Sequence, residues 1–107
     1  MSAFFVPAAV PQVHAFTGPA PASLFASAVG EVNRLSGLVP SAVLPPAVFG
    51  ESAVVEVIGL GDIVVTPAGG DTINGAASLT IPGATDPVRS VISVVVDAAG
   101  AWTSGGI

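Results

Sequence analysis

The sequence predicts a mainly β protein: a small antiparallel β-sandwich or barrel-like module over about residues 51–104, preceded by an extended Pro-rich arm and one short helix over about 23–36. Three observations lead to this reading. Runs of β-branched residues separated by Gly, Asn and Pro turn signals fill the second half of the chain. Prolines interrupt the first 21 residues at short intervals, and only residues 23–36 carry a good helical spacing. The 107 residues therefore divide into an arm (1–21), a helix plus Pro-rich linker (22–50) and a β module (51–107).

In the arm, MSAFFVPAAVPQVHAFTGPAP, each Pro removes a backbone donor and biases the preceding residue toward extended conformations. Phe4, Phe5, Val6, Val10, Val13 and Phe16 each favour burial by about 1.5–3 kcal/mol. An arm with so many apolar anchors is expected to lie against its own domain or a neighbouring subunit. In SLFASAVGEVNRLS, Leu24, Ala28, Val32 and Leu35 recur at helical spacing. Ser23 suits the N-cap and Gly37 the C-terminal left-handed position, and Glu31 lies one turn from Arg34. Residues 38–50 return to Pro-rich extended chain.

The β half begins with Ser52 to Ile58 and Asp62 to Thr66, joined by Gly59-Leu60-Gly61. Thr72-Ile73 lies between Gly69-Gly70-Asp71 and Asn74-Gly75, the latter a strong hairpin signal because both residues tolerate positive φ. Ala77 to Ile81 ends at Pro82-Gly83, which suits a type II turn. On the longest strand, Val88 to Asp97, one face carries Val88, Ser90, Ile92, Val94 and Val96. The other carries Arg89, Val91, Ser93, Val95 and Asp97. With both faces apolar in the middle, it is expected to be a central strand, or one whose second face meets another subunit. Ala98-Ala99-Gly100 turns the chain into a short closing strand, Ala101-Trp102-Thr103.

Composition restricts function. Charged residues make up 8% of the chain, against about 25% in a typical soluble protein. A folded monomer of this size exposes on the order of 5,400 Å², roughly 600 Å² for each charge, which is a poor defence against association. Disorder does not fit a mean hydropathy of +0.86. Prolines break the uncharged stretches 1–30 and 35–50, so neither reads as a membrane-spanning helix, and the N-terminus lacks a basic signal-peptide region. Two basic residues argue against nucleic acid, and the lack of Cys leaves no disulfide or thiolate metal site. The expectation is a subunit that buries much of its surface in a homo-oligomer.

The stretch Asp71-Thr72-Ile73-Asn74-Gly75-Ala76-Ala77-Ser78-Leu79-Thr80-Ile81, the Pro-Gly turn, Val91 to Val96, and Asp97-Ala98-Ala99-Gly100-Ala101-Trp102 resemble a β module common in tailed-phage virion proteins. There a "GDTINGAASLTL" segment leads into a valine-rich strand and an Asp-Gly turn followed by Trp. The likeness covers roughly residues 69–103. Here Ala98 and Ala99 separate Asp97 from Gly100, and Thr103-Ser104-Gly105-Gly106 follows Trp102. The resemblance implies a virion structural protein, in head fibres, capsid-associated proteins or tail fibres, that commonly assembles as a trimer.

No residues converge on reaction chemistry. The single His, His14, lies in the arm and reads as a contact residue; no motif relates it to a Ser and an acid. Gly59-Leu60-Gly61 lacks the third glycine and helix of a dinucleotide loop, and the acids lack calcium-loop spacing, although Asp71 and Asn74 could share an ion at a subunit contact. The expectation is therefore no enzyme, no cofactor, no metal, no nucleic acid and no membrane. The chain is read as an accessory capsid protein on the capsid exterior, made in a bacterial cytoplasm. As a decoration protein or the base of a head fibre or spike, it would attach by its arm to the major capsid protein or another virion protein and trimerise through the β module. The alternative is a tail-fibre or spike module that binds a host-surface glycan. Candidate assembly contacts are Phe4, Phe5, Val6, Val10, Phe16, Val91, Val95 and Trp102, the last a core or interface anchor.

Overall fold

In the computed structural model, which describes residues 10–59, 61–84 and 88–105, ten strands and no helix are present among the described residues. They are β1 (Val13–Phe16), β2 (Ala22–Ser23), β3 (Glu31–Ser36), β4 (Ser41–Val43), β5 (Ser52–Ile58), β6 (Ile63–Thr66), β7 (Thr72–Ile73), β8 (Leu79–Ile81), β9 (Ser90–Ala98) and β10 (Ala101–Gly105). One sheet, sheet A, has the order β1-β3-β5-β9-β10-β7; the other, sheet B, has the order β2-β4-β6-β8.

The first six strands alternate between the sheets, and each of the first four pairs in parallel with the strand two places on. The chain thus winds through three coils of about twenty residues. Val13, Val32 and Val54 lie in one register row; Phe16, Leu35 and Val57 lie in another. In sheet B, Ala22, Ala42 and Val65 are similarly aligned. Each coil returns to sheet A just after a left-handed glycine, at Gly30 (φ 81°), Gly50 (φ 89°) and Gly70 (φ 85°). An acidic residue follows each of them: Glu31, Glu51 and Asp71. At the opposite corner Gly18, Gly37 and Gly59 are stacked. A Cβ on Gly18 would sit 2.5 Å from the carbonyl carbon of Leu38, so only glycine lets successive coils approach this closely.

The chain reverses after the third coil. Strand β7 runs to the far edge of sheet A, β8 returns antiparallel to β6, and β9 lies antiparallel to β5. The β9–β10 hairpin then occupies the space between β5 and β7, with β10 parallel to β7. Thus β7 to β10 close one end of the coil stack. Buried residues of both sheets, from Ala22 to Trp102, form a single core cluster.

The mainly β expectation holds, but the finer architecture differs. Five of the eight strand pairings are parallel, not antiparallel. The expected helix over 23–36 is absent. Gly30 turns the chain, residues 31–36 form β3 between two neighbours, and Leu24 and Leu35 enter the core from opposite sides of that turn. Helical spacing yielded to the register with β1 and β5, since local propensity is a weak prior against tertiary pairing. The extended arm is also not supported: residues 13–16 form β1, paired with β3, and Ala22 is a core residue. Within the Pro-rich linker, Ser41–Val43 forms β4, with Val39, Leu44 and Ala47 buried around it.

The β half follows the turn chemistry closely. Ile73 and Ala76 exchange backbone hydrogen bonds around Asn74 (φ 55°) and Gly75 (φ 77°), a two-residue turn. Asn74 also accepts from Ser104 N at 2.9 Å and donates to its Oγ at 2.7 Å, fixing β7 against β10. Gly83 does not have the positive φ expected of the turn position. It lies against the carbonyl oxygens of Gly59 and Gly61, at 2.8 and 2.6 Å from a hypothetical Cβ, and its N–H donates to Asp62.

Candidate functional site: one open end and one valine-bearing face

Each sheet has an edge at both ends of the stack, the short β7 and β8 at the capped end and β1 and β2 at the other. Gln12 O accepts from Val32 N at 2.8 Å, so by the alternation of a parallel ladder the backbone groups of Val13 and Ala15 point away from β3, to a side where no strand of the described residues pairs with them. Around this edge Val10, Val13, Phe25 and Val29 are exposed. An edge with unpaired backbone and apolar side chains is a template for another chain.

Behind it, the side chains are tightly specified. The carboxylate of Glu31 bridges His14 Nε2 at 2.9 Å and Ser27 Oγ, which donates at 2.9 Å. The His14 ring stacks on Phe25 with centroids 3.9 Å apart, and Phe16 stacks beside it. Asn33 is fully buried: Oδ1 accepts from Phe25 N at 2.8 Å, and Nδ2 donates to Phe25 O at 2.9 Å and Val54 O at 3.3 Å. This side chain ties the turn before β3 to the third coil. Asn33→Ala is expected to cost about 2–3 kcal/mol, because it leaves buried backbone groups without partners; urea denaturation measures it.

The Ser27, Glu31 and His14 grouping is not a nucleophilic triad. Ser27 Oγ gives its hydrogen bond to the carboxylate and not to the imidazole that would have to accept its proton. Instead the group anchors β1. Hydrogen bonds from His14 and then Ser27 hold the Glu31 carboxyl below its ordinary value of 4.5. A lowered folded-state pKa means that this contribution is complete above pH 4.5 and is lost as pH falls through the folded value. Acidification is therefore expected to loosen β1 first, seen as rising hydrogen exchange at residues 13–16 below that pH, and Glu31→Gln is expected to flatten the dependence.

The second surface is the outer face of sheet A. The two arginines of the chain both reach Glu56 there, Arg34 Nε at 2.8 Å and Arg89 Nη1 at 3.5 Å. The expected one-turn pairing of Glu31 with Arg34 gives way to these partners because residues 31–36 are a strand. The same face carries Val54 on β5 and exposed Val91 and Val95 on β9, while Ile92, Val94 and Val96 fill the core behind. Strand β9 is central, as expected from its two apolar faces; Val88 lies before it and is exposed.

The anticipated contact residues thus separate. Phe4, Phe5 and Val6 lie outside the described residues. Val10 is at the open end, Phe16 is half-buried against the core, and Val91 and Val95 lie on the outer face of sheet A. Trp102 is 1% exposed, within the chain's own core. Asp71 accepts from Ala47 N at 2.9 Å, while Asn74 holds Ser104, so the two serve separate loops. A cleft of about 190 Å³ at the glycine corner is lined by apolar side chains such as Leu35, Leu38 and Ile63 together with Ser36, Asp62 and the glycine backbone. No group of three His, Cys, Asp or Glu side chains suited to a metal ion occurs among the described residues.

Comparison with known proteins gives no match: no protein-family profile, no curated protein and no solved structure matches this chain.

The anchoring residues Asn33 and Ser27 and the Arg34–Glu56–Arg89 cluster were not anticipated from the sequence. One signal pointed to the coils that bring them together: Gly30-Glu31, Gly50-Glu51 and Gly70-Asp71 recur every twenty residues, a period that marks stacked repeats.

Proposed function

We propose that this chain is a non-enzymatic structural component of a phage or phage-like virion, an accessory capsid protein such as a decoration protein or the base of a head fibre. The observation that carries this reading is the asymmetry of the stack. Residues of the segment resembling phage virion modules close one end, while the other end presents a free apolar edge among the described residues. Stacked-coil proteins need caps to remain soluble, so a stack with a single cap among its described residues suits attachment at the opposite end. In this role the N-terminal end grips another virion protein and the β half associates with further copies. The burial of Trp102 weighs against the glycan-binding alternative, which would use that ring as a stacking platform.

The test is to band particles from cells carrying the gene on a density gradient and quantify this chain by mass spectrometry. Recovery with the capsid protein, in fixed proportion to it, is expected, and deletion of residues 1–12 should release the chain from the particles. A full-length chain found only in the soluble fraction would refute the assignment.

A further inference from the structure

The outward residues of β9 form a self-complementary stripe. Arg89, immediately before the strand, and Val91, Ser93, Val95 and Asp97 on it are all exposed, Asp97 at the register shift of β9 against β10, with the basic and acidic ends roughly 27 Å apart at a strand's rise per residue. The stripe is symmetric in shape and antisymmetric in charge about Ser93. The face around Arg89 carries Arg34, Arg89 and Glu56, a net charge of +1 (2 − 1), whereas the chain as a whole carries −5. Few surfaces of so acidic a chain can attract another copy.

We infer that two copies pack the outer faces of sheet A against each other about a two-fold axis that lies in the interface, crosses the strands and passes through Ser93. This rests on the reading of the chain as a self-assembling structural protein and names the surface it uses. Such an axis reverses the strand direction, so Arg89 meets the partner subunit's Asp97 and Val91 meets the partner subunit's Val95, each contact occurring twice. The neighbouring strand fits the same operation. Val54, in register with Ser93, faces the partner subunit's Val54, and Glu56, in register with Val91, faces the partner subunit's Ser52. No like charges meet along these two strands. Two sheets packed face to face with strands nearly aligned is a common arrangement, and the twist of each sheet sets the angle between them.

Charge exchange tests this. Sedimentation equilibrium of the full chain should show a dimer, or oligomers built from dimers. Arg89→Asp alone and Asp97→Arg alone should each weaken association by roughly tenfold or more, since the symmetry creates two like-charge contacts from one substitution. The double variant Arg89→Asp with Asp97→Arg should recover to near the wild-type constant. As a readout independent of these charges, Ser93→Cys on the axis should cross-link to a covalent dimer with a short bis-maleimide, while Thr66→Cys on the outer face of sheet B should not. Assembly as a trimer indifferent to both single reversals, failure of the folded double variant to recover, or equal cross-linking at the two cysteines would each overturn the pairing. None of these results would touch the virion assignment, which stands or falls on the presence of the chain in banded particles.

Discussion

Replacing Gly18 by alanine is expected to destabilise the chain by about 3 kcal/mol, the largest effect of any single methyl group added to it. Two costs combine. At φ 80° an L-residue loses roughly 1–2 kcal/mol relative to glycine. The added Cβ would lie 2.5–2.7 Å from the Leu38 carbonyl and the Val39 nitrogen, and overpacking against backbone costs a further ~1–3 kcal/mol. Gly50→Ala is the matched control. Its φ is also positive, at 89°, but nothing lies within 4 Å of the added carbon, so only the first cost, roughly 1–2 kcal/mol, applies. Chemical denaturation of both variants measures the difference. Equal losses would mean that the coils do not approach each other at the Gly18 corner as described. A domain of this length has a total stability of about 5–15 kcal/mol, so Gly18→Ala removes a large share of it.

Trp102→Ala is expected to cost about 3–5 kcal/mol, the usual range for removing a large aromatic side chain from a core. Trp102 lies on the gap-filling hairpin, paired with Val96 on one side and Ile73 on the other. The cavity therefore opens where the cap joins the stack. Its indole Nε1 is buried and has no protein hydrogen-bond partner among the described residues, so Trp102→Phe sacrifices no such bond and should cost much less than the alanine variant. Thermal denaturation of the two variants tests this. A Phe variant as unstable as the Ala variant would mean that the N–H has a partner and that the ring is held by more than packing.

These two positions differ in how well the sequence discloses them. The β half was legible because its turns depend on residues with local conformational demands. Asn74-Gly75 must turn, Gly100 ends the long strand, and alternation along residues 90–97 separates Ile92, Val94 and Val96 from Val91 and Val95. Ser52–Ile58 was legible end to end for the same reason. The first half was not, because its order comes from register between distant coils. Residues 31–36 are held by β1 and β5, and the helical spacing of Leu24, Ala28, Val32 and Leu35 is a coincidence: Leu24 follows β2, Ala28 lies in the turn before Gly30, and Val32 and Leu35 lie on β3. Pro19 and Pro21, which seemed to free an arm, lie in the corner between β1 and β2 instead. The candidate surfaces were half legible. Val91 and Val95 announce an outward apolar row, but the convergence of Arg34 and Arg89 on Glu56 requires knowing that β3, β5 and β9 are neighbours.

The pH response of Glu31 and the loss on Asn33→Ala both report on the attachment of the first coil, the end of the stack opposite the β7–β10 cap. If the N-terminal end grips another protein, these substitutions should weaken that grip more than they disturb the β7–β10 cap at the far end.

The central claim is that so sparsely charged a surface exists to be covered by other chains. Sedimentation velocity of the purified wild-type chain, from micromolar to millimolar concentration at neutral pH, tests it most directly. The account predicts associated species that grow in population with concentration and have a discrete mass. A single monomeric species that stays soluble across the whole range would contradict it.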